Sequence, residues 1–291
     1  MARALEPQEG GRLVTATMPL KIVRPSRSAA RGSGEGRWRL LLAAVVLAIL
    51  LVWEAAVSWL QLVPAVFLPP PTAVAASFVE LVVRPDFWSA FGYSLGNLAI
   101  GVVLAVVIGV VVGLAVGWFP VLRFTVAPFL WLLYSTPKVA LAPLIILILG
   151  LGAASQIALV LLLAVFPIML NTMEGALTVN KSLVNAGRVF GANGIALGVK
   201  VLLPGTLPFS LVGIQRGAAL GFTGQVLGEF LGGAGGLGHL LERAAFDFQM
   251  DDAIAMVIVM VIIANLTLTV IGLLRKRFAP WHDDRATVKA G

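Results

Sequence analysis

The chain has 291 residues, of which 59% are hydrophobic and only 12% are charged, and its formal net charge at pH 7 is +7. Soluble globular domains carry about 25% charged residues, so this composition excludes an ordinary soluble domain and indicates an integral membrane protein. The absence of cysteine excludes disulfides, thiolate metal sites and a cysteine nucleophile. Two histidines are too few for a histidine-based metal cluster.

The two ends of the chain are basic and polar. Residues 1–39 contain eight Lys and Arg residues without apolar periodicity, and residues 275–291 begin with Arg275-Lys276-Arg277. We predict that residues 1–39 form a disordered cytoplasmic tail that sets the topology and contacts anionic lipid. This interpretation is preferred to a nucleic-acid-binding arm and to a cleaved signal peptide, because the following apolar run is longer than an ordinary signal segment. Residues 275–291 are predicted to form a second cytoplasmic tail.

Residues 40–274 are predicted to form one all-α transmembrane domain. About 20 apolar residues cross a bilayer core of about 30 Å. Six segments meet this length or approach it: 40–60, 94–118, 126–149, 156–170, 207–231 and 253–274. We expect the third span to be broken at Ser135-Thr136-Pro137-Lys138 and the fourth to be short, with Pro167 near its end.

Two amphipathic helices are predicted outside the spans, at 73–83 and 239–248, and Arg84-Pro85 ends the first. Glu54, near the outer end of the first span, is interpreted as an interface-level acid facing other helices, with a coupling carboxylate as the alternative. The run from Gly232 to Gly238 is expected to be a flexible connection, because it lacks the Lys-Ser/Thr of a phosphate-binding loop.

Glycines recur at four-residue spacing in the second and fifth spans. Small residues at this spacing let two membrane helices approach closely. The predicted packing glycines are Gly92, Gly96, Gly109, Gly113, Gly117, Gly213, Gly217 and Gly221.

The distribution of basic residues predicts the orientation. Six spans place both ends on one side, and with both ends inside, 17 Lys and Arg residues lie in inner segments and 2 in outer loops. The remaining two, Lys138 and Arg216, lie within spans. This asymmetry places both termini in the cytoplasm, together with the polar segment between the fourth and fifth spans.

That polar segment, residues 180–204, is named the elbow. Asn180 is a predicted N-cap of a helix that runs to Phe190, and Gly191 is the expected C′ residue. Asn193 is predicted to cap a second short helix that stops before Pro204. A compact helical elbow on the basic side of a membrane protein is suited to docking a soluble partner.

The elbow resembles the cytoplasmic loop signature of ABC importer permeases. Asn185-Ala186-Gly187 stands in the place of the signature's Glu-Ala-Ala, Gly191 matches its glycine, and Val201 and Leu203-Pro204 match its Ile and Leu-Pro at the same spacing. The chain departs from the signature at Asn185 and Gly187. Other runs resemble the nitrate, sulfonate, taurine and bicarbonate branch of these permeases. These runs are Phe67-Leu68-Pro69, 136–144, Gly150-Leu151-Gly152, Phe166-Pro167-Ile168, Asn171-Thr172 and Gly228-Glu229.

The resemblance implies a transport subunit in a bacterial inner membrane, and not an enzyme. Two copies would pair around the pathway, an extracytoplasmic substrate-binding protein would deliver solute, and the elbow would couple each copy to a cytoplasmic ATPase subunit. ATP and Mg would be bound by that partner, so no cofactor is expected in this chain, and no nucleic acid. The coupling residues implied by the resemblance are Asn185, Ala186, Gly187, Arg188, Gly191, Val201, Leu203 and Pro204.

Three polar residues within the spans are candidate pathway residues: Lys138, Arg216 and Glu229. Ionisable groups at membrane depth suggest function, and two cations suit an anion such as a sulfonate, taurine or nitrate. For Lys138, a snorkelling side chain is an equal alternative. Arg216 and Glu229 are thirteen residues apart, about 20 Å on one helix, so they are not expected to pair.

Alternative functions remain open at this point. A permease for a pyrimidine vitamin precursor belongs to the same branch. A stand-alone secondary transporter would show paired repeats and broken helices around a midplane site. A membrane enzyme would need a cluster of acids, bases or metal ligands, which are sparse in the predicted spans.

Overall fold

The computed structural model describes residues 34–233 and 235–278, and all the regular structure within these residues is helical. Most of the predicted N-terminal tail and residues 279–291 of the predicted C-terminal tail lie outside the described residues. Eleven α-helices occur in the described part: α1 Gly34–Glu54, α2 Pro71–Val83, α3 Pro85–Trp118, α4 Pro120–Ser135, α5 Ala142–Leu149, α6 Ala153–Thr178, α7 Lys181–Val189, α8 Gly194–Leu197, α9 Leu203–Gly232, α10 Leu237–Phe246 and α11 Met250–Phe278.

Five helical segments in the described residues are long and apolar enough to cross a membrane, at Arg37–Trp59, Pro85–Trp118, Ala153–Thr178, Gly194–Gly232 and Met250–Arg277. A sixth span results if α4 and the following Lys138–Leu149 are counted together. These two pieces are bent by 83° at the break. The predicted interruption at Pro137 is therefore present, because proline lacks the N–H that a continuous helix needs. Gly150 and Gly152, both at positive φ, turn the chain from α5 into α6.

The chain divides into two compact units, Met1–Ile49 and Leu50–Gly291. The first unit is represented in the described residues by the N-terminal part of α1. α1 ends in a π-helical turn, Ala55–Trp59, which belongs to the second unit.

α6 is the central helix of the second unit and is the most buried of the candidate spans. It packs against α3 on one side and α9 on the other. A Cβ added at Gly113 of α3 would come within 2.5 Å of the Met169 carbonyl oxygen, and one added at Gly217 of α9 would come within 2.7 Å of the Ala164 carbonyl oxygen. The predicted glycine spacing at 109–117 and 213–221 therefore sets these two close contacts. The expectation is not met within this chain at Gly92 and Gly96, because none of its described residues lies within 4 Å of a Cβ at either position.

A second apolar cluster joins α2, the start of α3, α10 and α11, with Leu81, Phe87, Leu237 and Met256 among its buried members. An ion pair of 2.9 Å between Arg84 and Asp252 connects the α2–α3 junction to α11.

Glu54 caps α2. Its carboxylate accepts hydrogen bonds from the backbone N–H of Thr72 at 3.1 Å and from the Ser58 hydroxyl at 2.7 Å. The Thr72 N–H lies in the first turn of α2, where donors have no partner within the helix. Glu54 therefore joins the end of the first span to α2.

Two predicted helix ends are wrong. The fourth span does not end near Pro167, because α6 continues to Thr178. Proline is tolerated inside membrane helices because neighbouring groups and local adjustments satisfy the freed backbone. The Asn171 side chain donates to the Pro167 carbonyl at 2.7 Å, one turn further along the continuous helix.

The second elbow helix does not stop before Pro204. α8 passes through a π-helical turn, Gly198–Leu202, directly into α9. The Leu203 N–H donates to the Gly198 carbonyl across this turn. Pro204 then falls in the first turn of α9, where its missing N–H is tolerated.

Candidate functional site

The first arm of the elbow is α7, which begins and ends at the predicted residues. The Asn180 side chain accepts a hydrogen bond from the Ser182 N–H at 2.8 Å, and Phe190 is the C-cap. Gly191 follows with φ +80°, a left-handed conformation that glycine adopts without strain. The reversal of the chain between α7 and α8 therefore depends on this glycine.

The elbow is closed by contacts between its two arms. A Cβ added at Gly187 would lie 3.3 Å from the Val201 side chain and 3.6 Å from that of Leu197. Leu197 of α8 and Leu202 of the π-turn are buried. Gly187 and Val201, which the sequence pattern selected separately, are thus brought together. Leu203 and Pro204 are exposed and begin α9.

The end of the elbow where α7 turns into α8 is apolar and exposed. Val189 is 84% exposed, Phe190 is 89% exposed and Ile195 is 86% exposed. These three residues are named the apolar tip. Asn185, Ala186 and Arg188 on α7 are also exposed. Such large apolar side chains at the end of a polar elbow are suited to a groove on another protein.

Lys138 lies at the break after α4. Its Nζ donates to the Tyr134 carbonyl at 2.7 Å and lies 5.1 Å and 5.0 Å from the ring centroids of Tyr134 and Phe166. The ammonium group is therefore held between one aromatic ring on its own segment and one on α6. The interaction with both ring faces stabilises its charge in place.

Arg216 lies on an exposed part of α9, and its Nη1 donates to the Asn171 side-chain oxygen at 3.3 Å. Asn171 and Phe166 are five residues apart on α6, about 7.5 Å along the helix axis. The same stretch of α6 therefore holds both basic side chains. Among residues with described side chains, no Asp or Glu lies within 4.0 Å of either cation.

Glu229 is almost fully buried, with 1% exposure. Its carboxylate accepts hydrogen bonds from the Ser94 hydroxyl, from the Gln225 amide at 2.8 Å and from the Gly238 N–H at 2.8 Å. The Ser94 hydroxyl in turn accepts from the Leu237 N–H at 2.9 Å. Glu229 thus joins α3, α9 and the start of α10.

The contacts of Glu229 also change the interpretation of the glycine run. The run that was expected to be a flexible connection leads into α10 two residues earlier than predicted, and its end is fixed by hydrogen bonds to Glu229 and Ser94. Sequence reasoning missed Ser94, Tyr134 and Asn171 as partners of the candidate residues. Only Asn171 gave a signal, since an amide four residues after a helical proline can bond to the proline carbonyl.

This arrangement defines a class of protein. A glycine-packed bundle of apolar helices has a broken span, two basic side chains held at α6, and a polar elbow that continues into a span. These are the features of a multi-span membrane transport subunit. A family model described as "binding-protein-dependent transport system inner membrane component" matches residues 105–283. The chain belongs to this family, the permease subunits of ABC importers, and is a transport subunit rather than an enzyme.

Three relatives show how far the similarity extends. An aliphatic sulfonates transport permease protein of Bacillus subtilis (strain 168) is 30% identical, covering 84% of this chain and 87% of its own. A taurine transport system permease protein of Escherichia coli (strain K12) is 30% identical, covering 82% and 88%. A riboflavin transport system permease protein of Chloroflexus aurantiacus (strain ATCC 29366 / DSM 635 / J-10-fl) is 35% identical, covering 91% and 98%.

A solved structure supports the fold. A chain of the MetNI methionine ABC transporter, in an inward-facing conformation, superposes with a TM-score of 0.57 at 22% sequence identity. The match covers 68% of this chain and 96% of the other. This similarity establishes the shared helical architecture.

Proposed function

We propose that this permease carries a small organic sulfonate or a related oxoanion across the inner membrane. The observation that carries the proposal is the pair of cations, Lys138 and Arg216, both held against α6 without a carboxylate partner among the described residues. A cation at membrane depth is costly unless a counter-charge or a pathway accompanies it. The names of the sulfonate and taurine relatives give the same substrate class.

The elbow is proposed to be the coupling element. The apolar tip would occupy a groove on a cytoplasmic ATPase subunit, which binds ATP and Mg. Because α8 continues through the π-turn into α9, a displacement of the elbow would be transmitted to the helix that carries Arg216. Asn185, Ala186 and Arg188 would lie at or beside that contact, and Gly191 would keep its shape.

The remaining parts of the assembly follow from the same proposal. A second copy of the chain would complete the pathway, and a substrate-binding protein would deliver the anion to the outer face. Both termini and the elbow would lie in the cytoplasm, as the 17 to 2 distribution of basic residues favours. Glu229 is proposed to support the helices around the pathway, because its carboxylate is occupied by its own chain.

The test is uptake by the assembled transporter, purified from its own cell and reconstituted in proteoliposomes with ATP. We expect ATP-dependent accumulation of radiolabelled taurine or ethanesulfonate in the presence of the binding protein. Lys138→Gln should reduce this uptake, whereas Lys276→Gln, which removes an exposed charge at the end of α11, should not. Failure to accumulate any sulfonate, sulfate or nitrate would overturn the anion proposal.

A vitamin or a pyrimidine vitamin precursor is the second candidate substrate. The observation in its favour is the riboflavin transport relative, which has higher identity and coverage than the two sulfonate relatives described above. The same proteoliposomes separate the candidates, because riboflavin uptake that is indifferent to Lys138→Gln would support this alternative.

A further inference from the structure

A cavity of about 530 Å³ lies where the elbow meets the bundle, and its lining includes neither the apolar tip nor Lys138 nor Arg216. Its walls are the corner that joins α3 to α4, the end of α6, and one side of α7. We name it the seam cavity. Trp118, Phe119 and Leu177 line its apolar side, and Arg123, Lys181 and Arg188 line its polar side.

The polar side of the seam cavity carries charge of one sign. Among the described residues, its lining includes three cations and the Asn185 amide, and no Asp or Glu. Within the described side chains, no carboxylate lies within 4.0 Å of Arg123, Lys181 or Arg188. A concave site lined by one sign of charge concentrates the field and attracts a counter-ion. An anion bound here would relieve the repulsion among the three cations.

The backbone fixes the positions of these cations. Lys181, Asn185 and Arg188 follow one another at four- and three-residue spacing and therefore share one face of α7. Arg123 faces them from α4, with its Nη2 donating to the Gly117 carbonyl at 2.7 Å. The Arg123 Nε is buried and has no partner among the described atoms. An anion between Arg123 and Arg188 would thus bridge α4 and α7.

The surroundings of the seam cavity match the headgroup level of a membrane. Trp118 ends the long apolar helix α3, and aromatic residues of this kind concentrate at the membrane interface. On α4, Val121 is 73% exposed and Phe124 is 79% exposed, on either side of Arg123 in the sequence. Exposed apolar side chains beside a basic cavity suit the acyl chains and the phosphate of one lipid molecule.

We propose that the seam cavity binds a phosphate group through Arg123, Lys181 and Arg188, supplied by an anionic phospholipid and, in its place, by free phosphate. Planar guanidinium groups match phosphate oxygens in pairs, and a lysine adds a compact charge. The bound phosphate fastens α7 of the elbow to the α3–α4 corner. The three residues of the apolar tip do not line the seam cavity, whereas Asn185 and Arg188 belong both to its lining and to the proposed coupling surface. The site is therefore tested by lipid retention and thermal unfolding and not by transport.

The test uses the full-length chain, delipidated in a neutral detergent. Native mass spectrometry measures retention of phosphatidylglycerol, with phosphatidylcholine, which has a phosphate but no net charge, as the comparison. A thermal-unfolding titration measures the response to inorganic phosphate. We expect preferential retention of phosphatidylglycerol. The double variant Lys181→Gln, Arg188→Gln should weaken its affinity about 30-fold, since two basic contacts are removed. Asn185→Glu, which places a carboxylate in the cavity lining, should also weaken it.

Lys200→Gln is the matched control, because Lys200 is an exposed cation of the same elbow that does not line the seam cavity. Retention of phosphatidylglycerol should be unchanged in this variant. Equal losses in the control and in the double variant would show general charge attraction and overturn the site. Wild-type affinity in both the double variant and Asn185→Glu would overturn it as well. Stabilisation by inorganic phosphate without retention of phosphatidylglycerol would keep the site and overturn the lipid as its source.

Discussion

Arg216 and Lys138 are stabilised at membrane depth by different chemistry. The Arg216 guanidinium donates to an amide oxygen of Asn171, whereas the Lys138 ammonium lies against two aromatic rings and a backbone carbonyl. Neither arrangement neutralises the positive charge. Under the proposed function, both side chains would present this charge to a passing anion.

For Arg216, the expected result of Arg216→Gln is a loss of about tenfold in anion uptake, because one charged contact of about 1.4 kcal/mol is removed from the pathway. Assembly with the ATPase should be intact, since Arg216 lies about 18 Å along α9 from Pro204 at the end of the elbow. Uptake and co-purification of the ATPase are measured together. Unchanged uptake would return Arg216 to a structural role.

A substitution at Gly191 tests the proposed coupling role of the elbow. Valine at φ +80° is strongly disfavoured, although none of the described residues lies within 4 Å of the added Cβ, so the expected effect is one of backbone conformation. Gly191→Val should insert normally but separate ATP hydrolysis from uptake. Gly198→Ala is the control, because Gly198 also has open space around it and a helical φ of −58°. Normal coupled uptake by Gly191→Val would contradict the coupling assignment.

Glu229 tests the internal support of the bundle. In Glu229→Gln the side-chain amide retains only one acceptor oxygen, so part of the set formed by Ser94, Gln225 and Gly238 loses its partner. A buried unsatisfied group costs about 1–3 kcal/mol, and the midpoint of thermal unfolding should fall by several degrees. Glu80→Gln, on an exposed position of α2, should leave the midpoint unchanged. Equal midpoints for the two variants would show that Glu229 does not stabilise the bundle.

At the level of elements, α6 is held between two helices that present glycine to it. The backbone carbonyls of Met169 and Ala164 lie where the side chains of α3 and α9 would otherwise stand. Without a hydrophobic driving force in lipid, this close packing is a main source of helix association. The positions of α3 and α9 relative to α6 therefore depend on the absence of a Cβ atom at these glycines.

The matched substitutions Gly113→Ala and Gly96→Ala separate packing from helix propensity. At Gly113 the new methyl group would collide with backbone, and overpacking of this kind costs about 1–3 kcal/mol. At Gly96 the methyl group meets no atom of the described residues within 4 Å, and alanine favours the helix by up to about 1 kcal/mol. Thermal unfolding should move in opposite directions for the two variants. A lower midpoint for Gly96→Ala would point to a contact made by another subunit.

At the level of the whole molecule, the orientation in the membrane can be measured directly, because the chain has no cysteine. Lys200 in the elbow and Asp247 between α10 and α11 are both exposed. Each can therefore be replaced by a single cysteine that a reagent can reach. A membrane-impermeant maleimide added to intact spheroplasts should label Asp247→Cys and leave Lys200→Cys unlabelled until the cells are opened. The reverse pattern would invert the predicted topology and place the elbow outside.

The amino-acid sequence by itself determined the membrane class, the family and the ends of α7. Composition and long apolar runs suffice for the first, because the bilayer sets the length of a span. The elbow motif combined with the other matching runs suffices for the family. Asn180 and Gly191 suffice for the ends of α7, because a cap and a positive-φ glycine act on the neighbouring backbone alone.

Only the tertiary structure decided what each polar or small residue contacts. It separated the packing glycines 109–117 and 213–221 from Gly92 and Gly96, although all share one spacing. It also showed that α6 continues beyond Pro167, and that α8 continues through the π-turn into α9 beyond Pro204. Local rules predicted a helix end at both prolines. It gave Glu229 three partners and assembled the seam cavity from α3, α4, α6 and α7. These outcomes depend on which residues from distant parts of the chain are brought together, and a spacing along one helix does not encode its neighbour.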